Sequence, residues 1–288
     1  MRACVQVQVI HHLFLLKRTK KRKVKRMEII SPNNARVKEW AQLLEKKHRT
    51  RQHKYIVEGI HLVQEALRSD AAVETVAYDL DKGIPAELNG LDPADQPVEW
   101  VPVSAAVIAK CTDTKTPQSV FAIVRKEERS AFPALLEQPD ALVMVLDGVQ
   151  DPGNVGTIIR SADAAGAAGV ILGHGCADLY NPKTIRSTMG SLFHLPVIEG
   201  SLEELLPQAK SKGARLLSTS LDASLSCYAI DLRVSTWLVI GNEGQGISDA
   251  TARMVDESIF IPMQGQAESL NAAMASTVLL FEAMRQRN

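Results

Sequence analysis

Ala141-Leu-Val-Met-Val-Leu-Asp-Gly-Val-Gln-Asp-Pro-Gly-Asn-Val-Gly-Thr-Ile-Ile-Arg160 joins an unbroken apolar run to a Gly- and Asn-rich loop that opens into a helix. A run with no polar alternation reads as a strand buried on both faces. The same order recurs twice downstream. Thr236–Ile240 leads into Gly241-Asn-Glu-Gly-Gln-Gly-Ile-Ser248, and Ile259–Pro262 overlaps Ile261-Pro-Met-Gln-Gly-Gln-Ala-Glu-Ser-Leu-Asn271. Short strands at 170–172, 197–198 and 215–218 alternate with helices at 155–166, about 182–189 and 202–211. A last helix spans about 269–285, with Ser269 as its N-cap and Leu270, Met274, Thr277, Phe281 and Met284 on one face. Alternation of this kind predicts an α/β fold with a parallel sheet covered on both sides. Such sheets bind ligands beyond the carboxyl ends of their strands, where all three loops fall. Glycine there lets the main chain come close to a ligand and offers bare N–H groups.

Upstream, charged and Pro-bracketed residues 127–140 read as a linker. Residues 27–126 read as a smaller α/β unit. Ser31-Pro32-Asn33 starts a helix carrying Val37, Trp40, Leu43 and Leu44, and strands follow at 55–57, 73–78, 98–101 and 120–124. A length of 288 residues suits two such units, each able to bury its own core.

The balance of 33 basic and 33 acidic residues conceals an asymmetry. Residues 1–54 hold 16 Lys and Arg against Glu28, Glu39 and Glu45, leaving 17 basic and 30 acidic residues beyond. A basic end on an acidic body suits a polyanion held through phosphate contacts. A solvated charge run is the plainer reading. Residues 1–26 place apolar residues before basic ones, the reverse of a secretory signal, and lack the serines of a mitochondrial presequence. We read Met27 as the start and 1–26 as an extension or a disordered arm. A basic patch of Arg36, Lys38, Lys46, Lys47, Arg49, Arg51 and Lys54 survives that reading. Cys4, Cys111, Cys176 and Cys227 form no C-x-x-C pair, so reduced thiols in a cytoplasmic protein without structural zinc are expected. No apolar run approaches the roughly 18 residues of a membrane span.

Each candidate residue has a plain reading beside a functional one. The glycines of 241–246 do not follow G-x-G-x-x-G, which disfavours a dinucleotide fold, and a Gly-rich turn can be purely structural. Glu243 within that turn repels phosphate and suits a cationic or hydroxyl-bearing ligand. Arg160 is either a salt-bridge partner or a planar fork for phosphate or alkoxide. Asn271 either opens the last helix or points into a pocket. His174 and His194 lie outside the loops and read as structural or surface groups. No P-loop, carboxylate pair or metal-ligand cluster is present in the pattern.

Asn154, Gly156 and Arg160, then Gly241-Asn-Glu-Gly244, then Ser269-Leu-Asn271 resemble, in order, the three motifs of the SpoU/TrmH-type RNA ribose 2′-O-methyltransferases of the SPOUT superfamily. Asn181–Pro196 resembles the segment before that family's knot. The resemblance implies a C-terminal domain, 141–288, tied in a deep trefoil knot and a homodimer that completes each site. It also implies an N-terminal domain that binds RNA, ribosomal RNA in preference to transfer RNA. The implied cofactor is S-adenosylmethionine, held by Gly241, Ile261 and Leu270 with Gly244 and Ser269. A ribose hydroxyl would lose its proton while attacking the cofactor methyl. Arg160 is then the key residue, with Glu243, Asn271 and Asn154 holding the geometry. Because a guanidinium stays protonated in proteins, Arg160 is expected to hold phosphate and stabilise alkoxide instead of acting as a base. The other reading is a non-catalytic RNA-binding protein that kept the fold.

Overall fold

The computed structural model describes residues 28–91, 97–126 and 131–288; the extension 1–26 lies outside them. Its first half builds a four-stranded sheet from β1 (Lys54–Glu58), β2 (Val73–Asp79), β3 (Glu99–Val103) and β4 (Val120–Arg125). The order is β1-β4-β2-β3, with only the β2/β3 pair parallel. Central β4 is buried from Val120 to Val124. Helices α1 (Ala35–Gln42), α2 (Lys46–Gln52), α3 (Ile60–Arg68) and α4 (Ala105–Cys111) accompany it. Helix α4 was not legible in the sequence, although Ser104 caps it by accepting from Val107 N–H.

After α5 (Phe132–Leu136), inside the expected linker, the second sheet begins. It holds β5 (Leu142–Asp147), β6 (Gly169–Leu172), β7 (Val197–Glu199), β8 (Arg215–Thr219), β9 (Leu225–Ser226), β10 (Thr236–Gly241) and β11 (Glu257–Phe260). All pairs are parallel, in the order β7-β6-β5-β10-β8-β11-β9. The helices are α6 (Pro152–Ala164), α7 (Pro182–Thr188), α8 (Leu202–Ser211), α9 (Asp249–Ala252) and α10 (Ala272–Arg287). Along β5, Met144 and Leu146 join Ile158, Ile159, Leu279 and Leu280 on one face. Val143 and Val145 join Leu206 and Trp237 on the other. Two apolar faces explain the unbroken run, because alternation appears only where one face meets water.

Two helix starts differ from expectation. Asp151 caps α6 by accepting from Asn154 N–H, and Pro152 takes the first helical position. Helix α10 is capped by Asn271 in place of Ser269 and starts at Ala272. Its phase differs as well. Ala273, Ser276, Leu279, Leu280 and Ala283 face the core, while Met274 and Phe281 are 51% and 41% exposed.

The halves meet along the segment around α7. Ile185 packs into the apolar cluster of the first half, and the Tyr55 and Tyr180 rings lie 4.5 Å apart. Arg186 reaches Asp113 at 2.9 Å and Glu58 at 3.5 Å. Arg49 corrects the expected basic patch. Its guanidinium is buried, bonded to Asp178 at 2.6 Å and to the Leu43 and Leu44 carbonyls, so it joins the two halves and is withdrawn from solvent.

His194 bridges Asp163 of α6 and Glu65 of α3 at 2.8 and 2.9 Å. Asp163 first, then Glu65, hold the imidazolium and raise its pKa above the ordinary histidine value. A raised histidine contributes stability that is fully present below its unfolded pKa of about 6.5 and is lost as pH rises through the folded value. The Tm advantage of wild type over His194→Gln is therefore expected to be largest near pH 6 and to shrink above it. A difference independent of pH in calorimetric scans would sink this account.

Candidate functional site

The three loops converge at the carboxyl ends of β5, β10 and β11, and the reason is local. Asn242 accepts from Gly244 and Gln245 N–H through Oδ1, at 2.9 and 3.1 Å, and so closes the 241–246 turn on itself. Its Nδ2 donates to the Gly148 carbonyl at 3.0 Å, fastening this loop to the one after β5. Asp147, the last residue of β5, accepts from Ser248 N–H at 2.7 Å. Neither Asn242 nor Asp147 was singled out from the sequence. The signal for Asn242 was present, since an Asn two residues before a Gly favours a side-chain-closed turn. Gly241 is constrained by space, because a Cβ there would overlap the Gly246 backbone.

Three expected residues from three loops form one hydrogen-bonded chain. Asn271 Nδ2 donates to Asn154 Oδ1 at 3.1 Å, and Asn154 Nδ2 donates to Glu243 Oε1 at 2.8 Å. The amide orientations follow from this network. Asn271 is used twice, because its Oδ1 also caps α10 through the N–H groups of Ala273 and Met274. Capping and orienting are therefore not alternatives at this residue.

Behind Glu243 opens a cleft of about 820 Å³. Gly241, Glu243, Gly244, Ile261, Ser269, Leu270 and Asn271 line it, with buried Ile240 and Ile259 at its floor. A cleft of this size that combines apolar side chains with convergent polar groups suits a small ligand. Arg160 is not among its lining residues. It is exposed on α6 and makes no hydrogen bond or ion pair among the described residues. Between α6 and α7 a Cβ on Gly156 would come within 2.5 Å of Ser187 and the Thr184 carbonyl, so glycine there is needed for close helix packing.

Of the basic patch, Lys38, Lys46, Lys47 and Arg51 are exposed. Arg36 pairs with Glu99 and stacks on Trp40, and Lys54 pairs with Glu74 at 2.5 Å. Burial pushes the Cys111 thiol up to about 12 and the Cys176 thiol up to about 11, so both stay protonated and unreactive. Among the described residues no group of acids, histidines and cysteines could hold a metal.

Comparison with known proteins gives the family. The model of the SpoU rRNA Methylase family matches residues 141–281, and an MRM3-like substrate binding domain matches 34–122. A Bacillus subtilis relative named 23S rRNA (guanosine(2553)-2'-O)-methyltransferase RlmP is 37% identical over 254 residues, 88% of this chain and 98% of its own. The chain belongs to the SpoU rRNA methylase family. A second relative, the 23S rRNA (uridine(2479)-2'-O)-methyltransferase of Streptomyces viridochromogenes, is 33% identical over 90% of this chain and 92% of its own. Among solved structures, the SpoU methyltransferase AviRb of Streptomyces viridochromogenes, in complex with the cofactor AdoMet, superposes with a TM-score of 0.81. It is 32% identical, and the match covers 88% of this chain and 98% of that one. Within that family match, the second and third loops line the cleft, and Asn154 of the first is tied to them through Glu243 and Asn271.

Proposed function

We propose that this protein transfers a methyl group from S-adenosylmethionine to a ribose 2′-hydroxyl of large-subunit ribosomal RNA. The carrying observation is the Asn271–Asn154–Glu243 chain, which draws three separate loops together at the mouth of one cleft. The cofactor supplies an electrophilic sulfonium methyl group. The main chain of Gly241, Gly244, Ile261, Ser269 and Leu270 holds it, and the fit rests on a turn too tight for any side chain at 241. Glu243, oriented by Asn154, presents a carboxylate to a hydroxyl or a cationic group. Arg160 neutralises phosphate and developing alkoxide, so catalysis is alignment and charge placement.

Arg160 lies outside the cleft of its own chain, which supports a site completed by a second copy. The exposed Leu270, Met274 and Phe281 offer an apolar stripe for that homodimer. Residues 27–126 bind RNA through Lys38, Lys46, Lys47 and Arg51, residues 127–140 link, and 141–288 carry the chemistry. A trefoil knot belongs to the same reading. Its support is topological, since the late strands β10 and β11 insert between strands already laid down. Among the described residues no helix is long and apolar enough to cross a membrane. A cytoplasmic location is part of the same reading.

The test is methyl transfer from tritiated S-adenosylmethionine to unmodified ribosomal and transfer RNA, with sedimentation to give the assembled mass. Label in an alkali-resistant dinucleotide of ribosomal RNA supports the reading, and label in transfer RNA alone changes the substrate. Cofactor affinity without transfer to either RNA would point to another substrate such as an assembly particle, and no cofactor affinity at all would leave only RNA binding. Gly241→Ala is expected to weaken cofactor affinity by about 5- to 150-fold in calorimetric titration, because the added methyl forces the turn open at about 1–3 kcal/mol. Unchanged affinity would exclude this turn from the cofactor site.

A further inference from the structure

Lys183, outside the three loops but within the Asn181–Pro196 segment, sits beside the proposed site. It lies in the first turn of α7, and its Nζ is 2.9 Å from Asp151 Oδ2, in a pair with both side chains about half exposed. The ammonium lies alongside Gly153, where an added Cβ would touch Lys183 Cε and Nζ at 3.4 and 3.6 Å and would crowd Asp151 Oδ1 at 2.7 Å. Gly153 and Arg160 are seven residues apart on α6. By helix geometry they share one stripe, roughly 20° apart in azimuth and about 10 Å apart along the axis. Thr157 completes the stripe, which carries no acidic residue between the two cations. Lys183 and Arg160 therefore stand at the two ends of a shallow cationic track. The track starts one residue from Asn154, a member of the chain at the cleft mouth.

We propose that Lys183 is a phosphate contact for the RNA strand being methylated, gripping one phosphate while Arg160 holds a neighbouring one. This rests on the methyltransferase reading above. Asp151 is the resting partner of Lys183, and phosphate takes its place. Asp151 keeps its other oxygen on Asn154 N–H, so the cap of α6 survives the exchange. An exposed pair of this kind is held weakly enough to be given up.

The experiment measures RNA affinity across a salt series, with kinetics, using a transcript of large-subunit ribosomal RNA as the probe. Lys183→Gln is expected to raise KM about fivefold and leave kcat and cofactor affinity unchanged. It should also lower the slope of log affinity against log salt by about 0.7, the value for one phosphate contact on a single strand. Lys183→Arg should restore the slope. Asp151→Asn keeps a capping side chain but removes the competing charge, so RNA should bind more tightly. If wild type methylates the transcript while Lys183→Gln keeps the full salt slope, the phosphate contact is overturned and the methyltransferase reading stands. Loss of RNA affinity in Asp151→Asn would likewise overturn it, leaving the pair as a brace between α6 and α7. A wild-type protein that does not methylate overturns both.

Discussion

Methyl transfer is expected to fall by about 10²–10³-fold in Arg160→Ala, the loss typical of removing one donor to a developing oxyanion. Fold and cofactor affinity should stay at wild-type values. The reason for that separation is structural. Arg160 is exposed and has no hydrogen-bond or ionic partner among the described residues, so its removal leaves no buried group unpaired. Arg160→Lys should recover only part of the rate, because an ammonium keeps the charge but lacks the planar fork. Single-turnover rates at saturating RNA and cofactor would measure this, with a thermal melt alongside. A rate within threefold of wild type would remove Arg160 from the chemistry. Partial recovery of the rate on mixing Arg160→Ala with a Gly241→Ala chain, where each mixed dimer regains one intact site, would show that the two residues act across a dimer.

The largest stability effect is expected at Arg49. Breaking a buried ion pair costs about 3–5 kcal/mol, because the remaining charge stays uncompensated. The side chains of Arg49 and Asp178 are only 3% and 11% exposed. Burial alone would raise the Asp178 pKa, but the hydrogen bond and charge of Arg49 outweigh it and hold the carboxyl below its usual range. A depressed carboxylate contributes stability above its unfolded pKa and loses it as pH falls through the folded value. Arg49→Ala should therefore lower stability in urea titrations at neutral pH by about 3–5 kcal/mol, and the deficit should narrow in acid. Asp178→Asn combined with Arg49→Ala should cost less than the two separately, since both remove one interaction. A loss below about 1 kcal/mol would place the pair among ordinary surface bridges. Lys46→Ala and Lys47→Ala, on the exposed turn of the same helix, should leave stability unchanged.

The strands of the second sheet were legible in the sequence because each face of β5 and β10 meets apolar side chains, which writes an unbroken run into the chain. The loops were legible because tight turns and close backbone approach demand glycine and asparagine, as Gly241 and Asn242 show. Helix starts were read less well. Asp151 caps α6, which starts at Pro152 and not at the expected 155, and Asn271 caps α10 in place of Ser269, since several adjacent polar residues can each serve as a cap and packing chooses among them. Helix α4 and the two-residue β9 carry too little periodicity to stand out.

By its residues alone, the chain determined its α/β class, the family its motifs resemble and the loops that the fold brings together. Strand order, the side of α10 that faces water and the partner of each charge were decided only in three dimensions. Arg49 and Lys47 are alike in sequence, two cations in one short basic helix, yet one is buried against Asp178 and the other is solvated. The difference is an acid 129 residues away, brought close by the docking of α7 on the first half. Local sequence records propensity and pattern, whereas burial and pairing depend on contacts between residues that the fold alone makes neighbours.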